Sequence, residues 1–310
     1  MPPAATDPAD PTGSRPDQAE PTVAAEPPWR EADPGSELAA LFAAAGPHAL
    51  DRLVALPATG GDRRAGAVLR LVVADDGAPR ARLRAVPVGP DDPDPARGEA
   101  DRLAWLAGRL PVPEVLAVDA VPGPGGSTWR VLATTVPTGR PASHPAAHRD
   151  AESAVAVVAR AVRAVHDLPT DDCPFDAATA GRLAVAEARV GAGLVRTDDL
   201  APAYRRLAPE RLLHLVGEAL AAVGDDESDV VVVHGDLRLD RILVDGGELS
   251  AVVGWHRAGV GDRYADLATV AADIATHISP QALGPFLEAY GLELPSLAKV
   301  DAHALLDQLT

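Results

Sequence analysis

Short runs of alternating or continuous hydrophobic residues occupy the first half of the chain and predict strands. These runs cover residues 53–56, 68–73, 82–86, 115–118 and 129–136. One helix is predicted among them, over residues 99–110, because Leu103, Leu106 and Leu110 recur at helical spacing. Glu99 would fall in the first turn of this helix, where the helix dipole favours a carboxylate.

The second half of the chain changes to helical periodicity. Helices are predicted over residues 150–166, 176–193, 208–223, 264–278 and 281–290, and from residue 296 to the C-terminus. The β-branched run Val230–Val233 interrupts them, and strands at 241–244 and 249–253 flank Gly246-Gly247, a hairpin signal. We therefore expect an α+β fold of two lobes, a β-rich lobe over residues 36–137 and a mainly helical lobe over residues 138–310, with a hinge at 137–141.

The N-terminal segment, residues 1–35, is rich in Pro, Ala, Asp and Glu and has no hydrophobic period. Such a composition buries too little apolar surface to offset the entropy of ordering, so disorder is predicted. Ser36 could cap a short helix over residues 38–46.

The charge and composition exclude several functional classes. A formal net charge of −17 argues against a nucleic-acid partner and suits either a cationic ligand or simply a solvated acidic surface. No apolar run is long enough to span a bilayer, so no membrane partner is expected. The single cysteine, Cys173, excludes an internal disulfide and is typical of a cytoplasmic protein. The oligomeric state is open.

Two motifs carry the chemistry. His234-Gly235-Asp236 ends the Val230–Val233 run, and Trp255-x-x-x-Gly259-x-Gly261-Asp262-x-x-x-Asp266 follows the hairpin. Together they resemble the aminoglycoside phosphotransferase family, whose fold is that of protein kinases, and most closely its 3'-phosphotransferases. The resemblance extends over about residues 40–310, and it is weaker in the first lobe.

The resemblance implies ATP-dependent phosphorylation of a hydroxyl group on a cationic aminosugar, the reaction of antibiotic resistance. It assigns three residues to the catalytic site: Asp236 as the base, Asp266 as the brace of the catalytic loop, and His234 of the same motif as Asp236. On the nucleotide side it implies Arg84 in the place of the phosphate-binding lysine and Glu99 as the helix glutamate. The glycine-rich loop between the first two predicted strands, which contains Gly60 and Gly66, is either a phosphate loop or an ordinary hairpin turn. On the acceptor side it implies Arg257, Asp273, Asp307 and Thr310. Structural roles are the alternatives for three of these residues. Asp236 could stabilise its loop, Glu99 could be an ordinary acid of the first helical turn, and Asp273 could be a charge on a helix surface.

Two departures concern magnesium. Arg241 stands where the family has a metal-binding Asn, and Gly254 stands where it has a metal-binding Asp. A guanidinium cannot ligate Mg²⁺, and glycine offers no side-chain oxygen. Rescue by Asp240 is disfavoured if the segment is extended, because adjacent side chains then point in opposite directions. Arg241 could instead contact a phosphate or form an ion pair with Asp236. ATP binding is compatible with Arg84, whereas Mg²⁺ binding is not supported by these positions.

The acceptor side departs as well. The family has an acidic loop that gathers the ammonium groups of the ligand. In this chain the corresponding loop, residues 201–206, reads Ala-Pro-Ala-Tyr-Arg-Arg, and its two positive charges oppose a polycationic ligand. Three hypotheses follow: a pseudokinase that binds a nucleotide or a small molecule, an active kinase with a diverged small-molecule substrate, and a scaffold that acts through its acidic N-terminal tail. The metal positions favour the first.

Overall fold

The computed structural model describes residues 52–55, 68–73, 79–88, 95–122 and 128–310. The predicted disordered segment 1–35, the predicted helix 38–46, and Gly60 and Gly66 of the glycine-rich loop all lie outside the described residues.

The first part of the chain forms an antiparallel sheet with one helix. Within the described residues the sheet has five strands in the order β1-β2-β3-β5-β4. They are β1 (Arg52–Ala55), β2 (Val68–Val73), β3 (Pro79–Pro87), β4 (Val115–Pro122) and β5 (Thr128–Thr134). Helix α1 (Pro95–Leu106) packs on the sheet through Leu103 and Leu106, which are buried against Leu132 of β5.

The second part is mainly helical. Its helices are α2 (Ala151–His166), α3 (Thr179–Gly191), α4 (Pro209–Val223), α5 (Tyr264–His277), α6 (Leu283–Tyr290) and α7 (Leu297–Asp307). Helix α2 begins with a capping box between Asp150 and Ser153 and buries Val155, Val158 and Val162 in the core. The α+β prediction of a β-rich lobe and a larger helical lobe is confirmed.

Two small sheets bring the predicted motifs together. The strands β7 (Val230–Val233) and β10 (Gly259–Asp262) pair antiparallel. The strands β6 (Arg140–Pro141), β8 (Ile242–Asp245) and β9 (Glu248–Val252) form the second sheet. The β8–β9 turn is Gly246-Gly247, and both residues have positive φ, as a type I′ turn requires. Trp255 is fully buried just after this hairpin.

The structure corrects two local predictions. Helix α1 begins at Pro95, four residues earlier than predicted, because proline has the φ of a first helical turn and lacks only a donor that is unused there. Glu99 therefore lies beyond the first turn, and the proposed benefit from the helix dipole does not apply. The predicted strand 241–244 begins at Ile242 instead, because Leu239–Arg241 form a 3₁₀ turn. Asp240 and Arg241 consequently do not point in opposite directions, and both line the same cleft.

Among the helices of the described residues, none combines the length and apolar character needed to cross a bilayer.

We predict opposite effects of alanine at two glycines. A Cβ at Gly261 in β10 would lie 2.5 Å from the carbonyl oxygen of Ala177, so backbone has to move, and Gly261→Ala should lower the free energy of unfolding by about 1–3 kcal/mol. Gly217, inside α4, has open space around a Cβ, so Gly217→Ala should raise it by roughly 0.5–1 kcal/mol. Urea denaturation measures both. Equal effects of the two substitutions would contradict the close approach at Gly261.

Candidate active site

The loop after β7 is held by one buried carboxylate. Asp266, in the first turn of α5, accepts hydrogen bonds from the backbone N–H of His234 at 2.7 Å and of Gly235 at 2.9 Å. Its Oδ2 also lies 3.3 Å from Nε2 of His166. Burial alone would raise the pKa of Asp266, but these hydrogen bonds and the neighbouring histidines lower it below its ordinary value. Asp266 thus lies where a brace of the loop would act.

His234 is a structural group in this geometry. Its ring is fully buried, with Nε2 3.1 Å from the carbonyl oxygen of Val253 and Nδ1 accepting from the backbone N–H of Asp236 at 3.3 Å. Burial lowers the pKa of His234 to about 4, so the ring is neutral at neutral pH. A neutral ring that donates through Nε2 and accepts through Nδ1 orients the next two residues of the loop.

Asp236 is engaged by two guanidinium groups. Its Oδ2 lies 2.6 Å from Nη2 of Arg241, and its Oδ1 accepts from Nε of Arg238 at 2.9 Å. Burial alone would raise the pKa of Asp236, but Arg241, Arg257 and Arg238 outweigh it and lower the pKa below its usual range. The ion pair between Arg241 and Asp236 that the sequence left open is therefore present, and both oxygens of the candidate base are occupied.

Arg241 and Gly254 fit each other. Nη1 of Arg241 donates to the carbonyl oxygen of Gly254 at 3.1 Å. A Cβ at Gly254 would lie only 2.6 Å from that nitrogen, and the φ of Gly254 is +88°. The guanidinium thus extends from Asp236 to the backbone at residue 254, across the space between the two positions that the resemblance assigns to metal ligands.

These residues do not fit a magnesium site. Mg²⁺ requires oxygen ligands in octahedral geometry, whereas positions 241 and 254 supply a cation and a hydrogen atom. In the part of the chain that the structure describes, no group of three or more His, Cys, Asp and Glu side chains is arranged to hold a metal ion. Of the alternative ligands, Asp240 lines the cleft, whereas Asp245 is exposed in the β8–β9 hairpin.

The cleft between the lobes is lined by groups of both charges. Arg84 of β3 and Glu99 of α1 meet there, with Nη1 of Arg84 3.1 Å from Oε2 of Glu99 and both side chains buried. Arg82, Asp240, Arg241, Gly254 and His256 line the same cleft. Burial, and to a smaller extent the positive charge of Arg84, lowers the pKa of His256 well below its ordinary value. The guanidinium groups of the cleft suit an anionic ligand such as a polyphosphate.

Arg238 lies between Asp273 and Asp307, two carboxylates that the resemblance predicts on the acceptor side. Nη2 of Arg238 donates to Oδ2 of Asp307 at 2.6 Å, and Nη1 lies 4.0 Å from Oδ1 of Asp273. Asp273 also accepts from the backbone N–H of Leu239 at 3.0 Å, and its side chain is only 15% exposed. The view of Asp273 as a plain helix-surface charge is therefore wrong. Thr310 is buried near the C-terminal end of α7.

Sequence reasoning missed Arg238 and Arg182. Arg238 follows the His234-Gly235-Asp236 motif, and its position two residues after Asp236 indicates that its side chain can reach that carboxylate. Arg182 lies in α3, and both of its Nη atoms are buried without a hydrogen-bond partner. No sequence motif marks Arg182, because the loop near Arg257 that it approaches lies about 75 residues further along the chain.

Comparison with known proteins identifies the family. The sequence profile of the phosphotransferase enzyme family, APH, matches residues 59–303. The chain belongs to this family. It is 33% identical over 219 residues to an aminoglycoside 3'-phosphotransferase of Streptomyces fradiae, and this match covers 68% of this chain and 78% of that protein. It is 35% identical over 222 residues to a streptomycin 3''-kinase of Streptomyces griseus, with 68% and 79% covered.

Solved structures of family members confirm the kinase-like two-lobe fold. The crystal structure of an aminoglycoside 3'-phosphotransferase of type VIII superposes with a TM-score of 0.73 at 30% identity, covering 88% of this chain and 99% of that one. An aminoglycoside phosphotransferase of Streptomyces rimosus, solved with ADP and streptomycin, superposes with a TM-score of 0.64 at 27% identity, covering 79% and 93%. The predicted resemblance is confirmed at the level of family and fold.

The buried histidine predicts a loss of stability in mild acid. The unfolded chain protonates His234 at its ordinary pKa of about 6.5, whereas the folded protein resists protonation until about pH 4. The contribution of neutral His234 to the free energy of unfolding is therefore complete above the pKa of the unfolded state, and it is lost as the pH falls towards the pKa of the folded state. Between about pH 6.5 and pH 5 the loss from His234 should be roughly 1.5 kcal/mol. His256 adds to it in the same direction.

Urea denaturation at the two pH values measures this loss. The variant His234→Gln should show a smaller difference between them, since its side chain does not titrate. An unchanged pH dependence in the variant would show that His234 is not the group responsible.

Proposed function

We propose that this chain is an aminoglycoside 3'-phosphotransferase-like protein that binds a nucleotide and has strongly impaired magnesium-dependent phosphoryl transfer. The observation that carries the proposal is the guanidinium of Arg241, which contacts Asp236 at 2.6 Å and the backbone oxygen of Gly254 at 3.1 Å. A cation in this space repels Mg²⁺. Neither Arg241 nor Gly254 provides a side-chain oxygen ligand at the two positions where the family binds the metal. The same contact occupies the carboxylate that would accept the proton of an acceptor hydroxyl.

Nucleotide binding is the part of the family activity that these residues favour. The pair of Arg84 and Glu99 reproduces the charge arrangement that positions a phosphate-binding cation, with arginine in place of lysine. Arg241 adds a second cation to the cleft, so negative phosphate charge can be balanced by protein groups alone. ADP and streptomycin are the ligands named for the Streptomyces rimosus relative, which supports a nucleotide in the equivalent cleft here.

An active kinase with a diverged substrate is the second candidate. The observation that favours it is Asp240, whose Oδ1 is buried without a hydrogen-bond partner and whose side chain lines the cleft. A carboxylate in this position could provide a metal ligand that replaces the two lost ones. In that case the unmodified protein should show robust magnesium-dependent turnover that Asp240→Asn abolishes, whereas our proposal expects little such turnover in the unmodified protein.

The decisive experiment restores both metal ligands. We expect the unmodified protein to show little Mg²⁺-dependent ATP turnover with water as the acceptor, and the double variant Arg241→Asn, Gly254→Asp to gain roughly a hundredfold or more, since a metal ion contributes several kcal/mol to transition-state stabilisation. Gly254→Asp alone should not gain activity, because its Cβ would collide with Arg241. Robust magnesium-dependent turnover by the unmodified protein would refute the proposal.

Nucleotide binding should be independent of magnesium. ADP at saturating concentration should raise the melting temperature by about 3 °C, to the same extent with Mg²⁺ and with EDTA. Arg84→Gln should reduce this shift, whereas Arg160→Gln should not, because Arg160 lies on the surface and pairs with the exposed Glu248. A shift that requires Mg²⁺ would show that the cleft holds the metal after all.

A further inference from the structure

Arg238 supplies, from within the chain, the cation that the acceptor-side carboxylates face. Its Nε, Nη2 and Nη1 lie 2.9, 2.6 and 4.0 Å from oxygens of Asp236, Asp307 and Asp273 respectively. Burial alone would lower the pKa of Arg238, but Asp307, Asp236 and Asp273 outweigh it and raise the pKa above its ordinary value. Arg238 is therefore permanently charged, and all three carboxylates are already compensated.

A cationic ligand would have to displace this tethered guanidinium. Because Arg238 is attached two residues from Asp236, its effective concentration at the carboxylates greatly exceeds that of a free ligand. The neighbouring loop adds charge of the same sign, since Arg205 and Arg206 are exposed there. The backbone N–H of Ala201 donates to Oε1 of Gln308 at 2.8 Å, which fastens this loop beside Asp307. Ammonium groups thus meet repulsion where the resemblance predicted attraction.

Two further guanidinium groups belong to Arg182 and Arg257, which lie near each other, and Asp236 and Asp307 compensate part of the charge of Arg257. Both Nη atoms of Arg182 are buried and have no hydrogen-bond partner. The residues just before α3 pair with β10, with the N–H of Ala177 donating to the oxygen of Val260 at 2.9 Å, so the first turns of α3 lie beside the segment of Arg257. Burial lowers the pKa of Arg257, and Arg182 lowers it further against the opposing effect of Asp236 and Asp307.

A buried guanidinium whose Nη atoms lack hydrogen bonds, as in Arg182, is costly, and an anion that enters between Arg182 and Arg257 would supply both the charge and the acceptors. We propose that the acceptor side takes a hydroxylated compound bearing a carboxylate or a phosphate, held by Arg182 and Arg257, while Arg238 excludes polycationic aminosugars. Arg182 and Arg257 are then anion-binding residues, and Arg238 is the residue that determines specificity. The inference concerns binding alone, so it holds whether or not phosphoryl transfer takes place.

Ligand binding without nucleotide or metal tests this specificity. Gluconate represents the carboxylate class, glucose 6-phosphate the phosphate class, and kanamycin the polycationic class. In calorimetric titrations of the full chain we expect one of the two acidic probes to bind and kanamycin not to bind. Arg182→Gln should weaken binding of the acidic probe by about tenfold or more, because it removes a charge-assisted contact. Arg160→Gln, which removes an exposed surface cation, should leave it unchanged.

Replacing Arg238 tests the exclusion directly. Arg238→Gln should gain kanamycin binding by about tenfold or more, since it uncovers the carboxylates of Asp236, Asp273 and Asp307. Arg238→Lys keeps the charge and the fold and should still exclude kanamycin, which guards against a variant that merely unfolds. Arg160→Gln is the surface control for all three probes. Tight binding of kanamycin to the unmodified protein, failure of both acidic probes at millimolar concentration, or acid binding that Arg182→Gln leaves unchanged would overturn the proposal.

Discussion

The buried carboxylate of Asp266 is the interaction on which the candidate site depends. It accepts two backbone N–H groups of the loop after β7 and lies against His166 of α2, so it joins α5, α2 and the loop at one point. A fully buried charge is tolerated only when it is hydrogen-bonded, and removing its partners leaves it uncompensated. These hydrogen bonds hold the loop that carries Asp236, and the position of the candidate base follows from them.

Around Asp236 the protein balances charge with its own side chains. In a magnesium-dependent phosphotransferase, phosphate and carboxylate charges are compensated in part by metal ions. Here Arg241 and Arg238 bind the two oxygens of Asp236 directly. The site is thus electrostatically complete without an added cation. A site of this kind is stable when empty, which suits a binding function better than a reaction that needs a free base.

The features that sequence could predict are those that depend on local pattern. The Gly246-Gly247 turn and the buried stripe of α2 followed from residue spacing, and the kinase-like fold followed from the resemblance of two motifs to a known family. The start of α1 was missed because Pro95 extends the helix ahead of its hydrophobic period. The network of Arg238 was missed for a different reason: positions 236, 238, 273 and 307 meet only after α5 and α7 have packed, and no periodicity reports a contact between residues so far apart in the chain.

The close fit between Arg241 and Gly254 also constrains how this sequence can change. A side chain at residue 254 collides with the guanidinium, and loss of the guanidinium alone leaves Asp236 with less compensation than before. Each single substitution towards a metal-binding pair is therefore expected to give a less stable site than either the Arg241–Gly254 pair or the complete metal-binding pair. Such a dependence of one substitution on another is sign epistasis, here between two positions thirteen residues apart. The arginine–glycine pair forms an evolutionary trap. Residues 241 and 254 are therefore expected to change together or not at all.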